Sequence, residues 1–309
     1  MNQTLSRLKG HLAMLGANTM WGLMAPIAKT VMAAGLVAPL LMANFRMLGG
    51  AILFWIGSIF LPKEHVPAAD LLRLLGAAML GILCNQGCYV FGVGFTSPGD
   101  ASIITTTMPL WVMVFAALIL GEPITMRKAG GILLGGSGAL LLILGATSAG
   151  VKGDNPTLGN LLVLTAQISY ALYLTFYRNF IRKYSVFTLM KWMFTFATIV
   201  ITPFSIGQYI STDWAAFTPR EYWGVGYVVF FATFIAYIFI MIGQKNLRPT
   251  VVGMYNYVQP VVATAVGICM GVDRFTVTKV VAVVLIFSGV WLVTISKAAA
   301  KPKPTVIDE

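Results

Sequence analysis

The sequence predicts an all-α membrane protein, with ten transmembrane helices arranged as two inverted five-helix repeats. Three observations carry this. Charge is scarce: of 309 residues, 58% are hydrophobic and 10% charged, and mean hydropathy is +0.83. Soluble chains carry roughly 25% charged residues, so a soluble enzyme, a disordered chain and a nucleic-acid-binding module are excluded. The apolar residues also fall in ten continuous runs of about the 20 residues that a bilayer crossing needs. Barrel strands would alternate instead, so these runs read as helices. Finally, the two halves repeat one another at a nearly constant offset.

The spans follow in order. Span 11–32 has no small-residue cleavage site after it and is too long for a signal segment, so it is expected to be retained. It carries Asn18 and Trp21, with Pro26 in its outer half. Span 38–61 carries Arg46, about 10 Å past Pro39 at a rise of about 1.5 Å per residue. Span 70–94 carries Asn85, Gln86 and Tyr89, and also Cys84 and Cys88. No histidine or acid lies near these cysteines, so they read as small packing residues, like Cys269. Span 98–120 holds Thr105, Thr106, Thr107, Pro109 and Trp111, and span 127–146 holds a glycine run. Span 158–178 places Tyr170, Tyr173 and Tyr177 on one face, beside Gln167. Span 186–208 carries Lys191, about 8 Å past Val186. Span 221–244 carries Tyr237, span 249–271 carries Tyr255, Asn256, Tyr257, Gln259 and Pro260, and the tenth is 277–296.

Sidedness follows from the cations. The net charge is +11, with 21 Lys and Arg. The N-terminus, the loops after even-numbered spans and the C-terminus hold 14 of them. The other side holds only Lys29, Lys152, Arg220, Arg274 and Lys279. Lysine and arginine are retained on the cytoplasmic side, which places both termini there.

The repeat is legible in its punctuation. At a shift of 151, Pro98 falls on Pro249, Pro109 on Pro260, Glu122 on Asp273, Lys128 on Lys279 and Gly138 on Gly289. Near the start a shift of 149 puts Gly10 on Gly159, Trp21 on Tyr170 and Lys29 on Arg178. The expected units are residues 1–150 and 151–309, the second with a short polar tail. Five spans per unit is an odd number, so the second copy enters the membrane from the opposite side. Inverted repeats are a transporter signature, with the substrate path between the halves near the midplane.

With these residues in place, the chain resembles the EamA family of the drug/metabolite transporter superfamily over nearly its whole length. The matching pieces are Trp21–Gly22, Pro39 through Arg46, Ala101 through Pro109, Gly121–Glu122, and Gly131, Gly135 and Gly138. Gly271-Val272-Asp273 replaces the family's usual Gly-Glu pair. The resemblance implies ten helices in inverted halves and transport of small metabolites, commonly export across the inner membrane. Amino-acid exporters, aromatic ones included, look nearest to it. Nucleotide-sugar and sugar-phosphate carriers share the fold more distantly.

Buried amides cost free energy unless satisfied, so within spans they face other helices or water. The expected substrate-lining set is Asn18, Trp21, Asn85, Tyr89, Thr106, Trp111, Gln167, Tyr170, Lys191, Tyr237, Asn256 and Gln259. Interhelical bonding is the alternative role for the amides, and an interfacial belt for tyrosines near span ends. Amides and tyrosines suit a small zwitterion or an aromatic solute. Pro109 and Pro260 each remove a backbone donor mid-span and read as hinges or static kinks. Glu122 and Asp273 read as structural helix-end acids, and Arg46 as a partner for backbone carbonyls or a helix end. Lys191 either snorkels to the interface or holds an anionic group of the substrate.

The expected function is export of small organic metabolites, amino acids or related compounds, by alternating access. The alternatives are a flippase for lipids or lipid-linked substrates and a carrier of the sugar-phosphate or nucleotide-sugar type. Neither His11 nor His65 pairs with a buried carboxylate, so no enzyme, metal or cofactor is expected. The expected partners are a small-molecule substrate and the lipid bilayer, with no nucleic acid. The Gly131–Gly135 spacing lets helices approach closely, within one chain or across a dimer seam. A monomer is expected, with the dimer as the alternative. All ten acids lie in loops, tails or span edges. Facilitated transport rather than stoichiometric proton antiport follows.

Overall fold

A computed structural model describes residues 2–33, 37–95, 104–145, 155–269 and 276–296. Its ten helical spans are α1 (Asn2–Ala33), α2 (Pro39–Ile59), α3, α4 (Met108–Leu120), α5 (Met126–Gly145), α6 (Pro156–Phe176), α7 (Val186–Ser211), α8, α9 and α10 (Val277–Thr294). Three of these are composite. A π-helical turn, Met79–Cys84, divides α3 into Ala68–Ala78 and Asn85–Phe95, and another, Phe230–Ile235, divides α8 into Pro219–Val229 and Ala236–Asn246. In α9 a 3-10 turn, Tyr255–Tyr257, separates Pro249–Met254 from Val258–Cys269. The described residues contain no strand.

Local chemistry sets the helix starts. Asn155 accepts the Leu158 N–H to cap α6, Ser185 accepts the Thr188 N–H to cap α7, and Thr276 caps α10. Thr218 and Glu221 form a capping box at the start of α8. Such caps satisfy amides that have no partner within the helix. Proline stands in the first turn of α2, α4, α6, α8 and α9, where its missing N–H costs nothing. Between them, α2, α3, α6, α7, α8 and α10 contain the stretches long and apolar enough to cross a bilayer.

The halves interlock helix by helix: α1 packs on α8, α2 on α7, α3 on α6, α4 on α9 and α5 on α10. The repeat exchanges α1 with α6 and α3 with α8, so the first and third of these pairs are counterparts. The remaining three pairs are their own counterparts, as a pseudo-two-fold axis requires. Residues that the repeat equates meet on that axis. The Gln86 amide donates to the Tyr237 hydroxyl at 2.6 Å across 151 residues. The Tyr257 hydroxyl donates to the Thr106 carbonyl at 2.9 Å across the same interval. The two π turns are likewise 151 residues apart.

All even-numbered loops gather at one end of the bundle. Ser6 bonds Asn246, Glu122 bonds Arg178, and Arg248 donates to the carbonyls of Val293 and Thr294 at 3.1 Å each. Thus α1 leaves this end while α6 arrives at it, which is the inversion expected from five spans per repeat. These contacts also explain why α1 starts at Asn2 and not near residue 11: its first turns pack on the end of α8, Gly10 lying against Leu247.

The glycine run of α5 is used within the chain. A Cβ on Gly131 would stand 2.8 Å from the Gly289 carbonyl oxygen, and one on Gly138 would stand 2.6 Å from that of Ala282. The repeat converts one contact into the other. Backbone-to-backbone approach of this kind needs small residues.

The prolines fall differently from expectation. Pro109 and Pro260 do not kink continuous helices. Pro109 sits in the first turn of α4, just after the turn at 106–107, and Pro260 follows the 3-10 turn of α9. The chain breaks its helix before each proline. The Asp273 carboxylate, the Pro26 side chain and the boundary between residues 150 and 151 lie outside the described residues.

The α5–α10 contact makes a sharp prediction. Gly131→Leu should lower the apparent Tm of the purified protein by several degrees, because the new side chain meets backbone, a form of overpacking that costs about 1–3 kcal/mol or more. Gly130→Ala should leave Tm unchanged or raised, because a Cβ there meets nothing within 4 Å. Equal effects of the two would contradict this packing.

Candidate functional site

Polar side chains of both halves meet at mid-span along the pseudo-two-fold axis. Asn18 on α1 is fully buried; its amide donates to the Met14 carbonyl at 2.8 Å, and its oxygen accepts from Gln259 of α9 at 2.9 Å. Gln259 also reaches the Asn256 oxygen at 3.3 Å. Three residues further along α1, the Trp21 indole donates to the Ala232 carbonyl in the π turn of α8 at 2.8 Å. Its ring meets Tyr237 edge-on at 5.8 Å. Tyr237 in turn takes the Gln86 amide of α3.

Arg46 of α2 enters the same group. Its Nε donates to Thr233 in the π turn of α8 at 3.1 Å, one turn before Tyr237. A third set joins α6 to α8. The Tyr173 hydroxyl donates to the Gln244 oxygen at 3.2 Å, and the Gln244 amide donates to Tyr170 at 3.4 Å.

The π turns help to build these contacts. Each π turn leaves a ladder carbonyl without its usual partner, and such turns recur at functional positions. Leu80 in the first π turn accepts from Ser169 at 2.7 Å, and Ala232 in the second accepts from Trp21.

Of the expected lining set, the structure brings together Asn18, Trp21, Tyr170, Tyr237, Asn256 and Gln259. Thr106 joins through its carbonyl, and Asn85 ties α3 to the Ala166 carbonyl of α6 at 3.0 Å. Gln167 is buried without a hydrogen bond among the described residues. Trp111 stacks on Phe115, and its buried Nε1 has no acceptor among the described residues. Tyr89 lies 39% exposed, away from the group. Lys191 also stands apart: its ammonium rests 4.6 Å over the Trp55 ring, between α2 and α7. Sequence reading passed over Gln244 and left Gln86 and Tyr173 out of the set. The signal for all three is a polar residue inside an otherwise apolar span.

The end that gathers the even-numbered loops is closed by carboxylates of the first half gripping the second. Glu122, 3% exposed, pairs with Lys128 at 2.8 Å, with Arg178 at 3.1 Å and with the Thr250 hydroxyl at 3.1 Å. Asp70 takes Lys183 and the Tyr184 hydroxyl, besides its own-helix neighbour Arg73. Glu64 accepts the Ser185 N–H with both oxygens, at 3.0 and 3.1 Å, and so holds the start of α7. Burial pushes the Glu64 carboxyl up, but hydrogen bonds from Thr188 and Ser185 and the charge of Lys245 outweigh it and hold it below its ordinary value. Hydrogen bonding to Asp70 holds the Lys183 ammonium above its own. At the opposite end, a crevice of about 270 Å³ lies between α1 and α8, lined by Ile27, Val31, Arg220, Trp223 and Tyr227.

This architecture has relatives. The model of the EamA-like transporter family matches residues 8–144 and again residues 157–295. The "Uncharacterized inner membrane transporter YedA" of Escherichia coli (strain K12) is 27% identical over 273 residues, 87% of this chain and 85% of that protein. The "Uncharacterized transporter YvbV" of Bacillus subtilis (strain 168) is 24% identical over 306 residues, 94% of this chain and 93% of that one. A solved crystal structure superposes with a TM-score of 0.76 at 18% identity, covering 94% of this chain and 96% of its own, which speaks to the fold alone. Two successive matches to one family model account for both halves of the bundle, and the chain belongs to the EamA-like transporter family.

Proposed function

We propose that this transporter exports a small organic metabolite, an amino acid or a related compound, by alternating access, with its site at the mid-span polar group. The observation that carries the reading is that amides and tyrosines from both halves converge on the pseudo-two-fold axis. Such groups satisfy the polar ends of a zwitterion, and the rings of Trp21 and Tyr237 suit an apolar or aromatic side chain. The basic end is assigned to the cytoplasm by its excess of lysine and arginine. In this reading Glu64, Asp70 and Glu122 form a cytoplasmic latch that opens to admit substrate. Every described carboxylate lies near an end of the bundle and none at mid-span, which supports facilitated flux over stoichiometric proton exchange.

Locking the halves tests the mechanism. In a variant cleared of its native cysteines, Val112→Cys on α4 and Gly253→Cys on α9 place their Cβ atoms about 3.4 Å apart, close to the roughly 3.5–4.5 Å of a disulfide. Oxidation should abolish counterflow of pooled L-amino acids in proteoliposomes, and a reductant should restore it. Undiminished counterflow in the oxidised protein would overturn the rocking mechanism.

The latch has a pH signature. A carboxyl held below its ordinary value in the closed form favours closure above that value, about 4.3 for glutamate, and loses this effect as pH falls through the depressed one. Spin labels at the exposed positions His65 and Asn179 should report one short distance at pH 7 and a longer population that grows as pH falls below about 4. Glu64→Gln should show the longer population already at pH 7. A distance that ignores both changes would refute the latch.

A further inference from the structure

We infer that Arg46 is the anion-binding group of the transport site, and that it takes the carboxylate of a zwitterion whose ammonium is received by Gln86. This rests on the amino-acid reading above and assigns the two charged ends of the substrate to named atoms.

Arg46 is half-buried, about 10 Å inside α2. A guanidinium carries five N–H donors and cannot be neutralised by losing a proton. Among the described residues only one of the five has an acceptor, the Thr233 hydroxyl. Every ion pair among the described residues uses Asp70 or Glu122, both at the far basic end. Arg46 is therefore a cation in the bundle interior without a carboxylate partner among the described residues. Intramembrane cations are costly and are normally matched by an anion. The unoccupied fork has the planar, bidentate geometry that fits a carboxylate.

Gln86 supplies the second, independent observation. It is 8% exposed, its amide nitrogen is spent on Tyr237, and its oxygen Oε1 is buried with no partner among the described residues. A buried acceptor left unsatisfied costs about 1–3 kcal/mol relative to one that is paired. The two groups are anchored side by side on α8: Arg46 bonds Thr233, and Gln86 bonds Tyr237 four residues further along. One open donor fork and one orphan acceptor therefore stand at neighbouring turns of α8. An α-amino acid presents the complement, a carboxylate and an ammonium on a single carbon. Lys191, the other cation within a span, has its ammonium 4.6 Å over the Trp55 ring and makes no contact with this polar group among the described residues.

The test is binding to purified protein in nanodiscs, read by calorimetry. The probes are L-phenylalanine, L-phenylalaninamide, 3-phenylpropionate, glucose 6-phosphate and the remaining L-amino acids. In the unmodified protein an amino acid should bind, and removing its carboxylate as the amide should weaken binding tenfold or more. Arg46→Gln should weaken the amino acid tenfold or more while leaving the amide within twofold, which shows that the site still folds. Arg46→Lys should fall between. Gln86→Leu should weaken the amino acid but not 3-phenylpropionate. Amino-acid binding within twofold in Arg46→Gln overturns the assignment and leaves the proposed function standing. Arg46-dependent binding of glucose 6-phosphate with no amino acid bound keeps Arg46 as the anion site, overturns the zwitterion assignment, and overturns the amino-acid reading. Binding of no carboxylate or phosphate probe overturns both.

Discussion

Inside a bilayer every backbone N–H and C=O must be satisfied by the protein itself, and most of this structure follows from that constraint. It turns the apolar runs into helices and puts caps or prolines at helix starts. It also gives meaning to the places where the helical ladder changes. The π turns in α3 and α8 and the 3-10 turn in α9 disturb the regular bonding. At each π turn a side chain from elsewhere in the fold is engaged, Ser169 at Leu80 and Trp21 at Ala232, and from the 3-10 turn Tyr257 reaches out to the Thr106 carbonyl. A helix irregularity in lipid thus becomes a junction between two helices, and the polar mid-span group is assembled from such junctions.

The duplicated sequence adds a symmetry constraint. When a chain folds as two related halves about an axis, equivalent residues near the axis must face each other. Gln86 faces Tyr237 and Thr106 faces Tyr257. An ancestral pair of identical residues would repeat one chemistry on both sides. Here the two copies have diverged, so an amide bonds a phenol and a carbonyl bonds a hydroxyl. The axis is consequently chemically asymmetric, as is needed to bind an asymmetric molecule in one orientation. The Gly131–Gly289 and Gly138–Ala282 contacts show the same symmetry where only shape matters.

Charge is distributed by the same logic. Ions are tolerated where water or a partner is close. Glu122, Asp70 and Glu64 cluster at one end, and each reaches from the first half to the second. An ion pair broken at a buried site leaves an uncompensated charge, worth about 3–5 kcal/mol. Glu122 is such a site, and the proposed latch rests most heavily on its pair with Arg178. Arg46, inside α2 with no carboxylate partner among the described residues, is the exception that the substrate is proposed to resolve.

The sequence by itself determined the class of fold, the number of spans, the inversion and the family, because these depend on composition, run length and the spacing of prolines and glycines. It also pointed to Asn18, Trp21, Tyr170, Tyr237 and Gln259, because a polar residue within a span is conspicuous. It could not decide which polar residues meet, since that depends on how helices distant in sequence cross. Lys191 and Arg46 illustrate the limit. Each is a cation some 8–10 Å into a span, indistinguishable by depth alone. Tertiary structure sets Lys191 over the Trp55 ring and Arg46 against the Thr233 hydroxyl in the π turn of α8. The π turns were equally invisible, because Met79–Cys84 and Phe230–Ile235 are ordinary apolar sequence. Their geometry is fixed by the helices packed against them, and only the folded bundle supplies those.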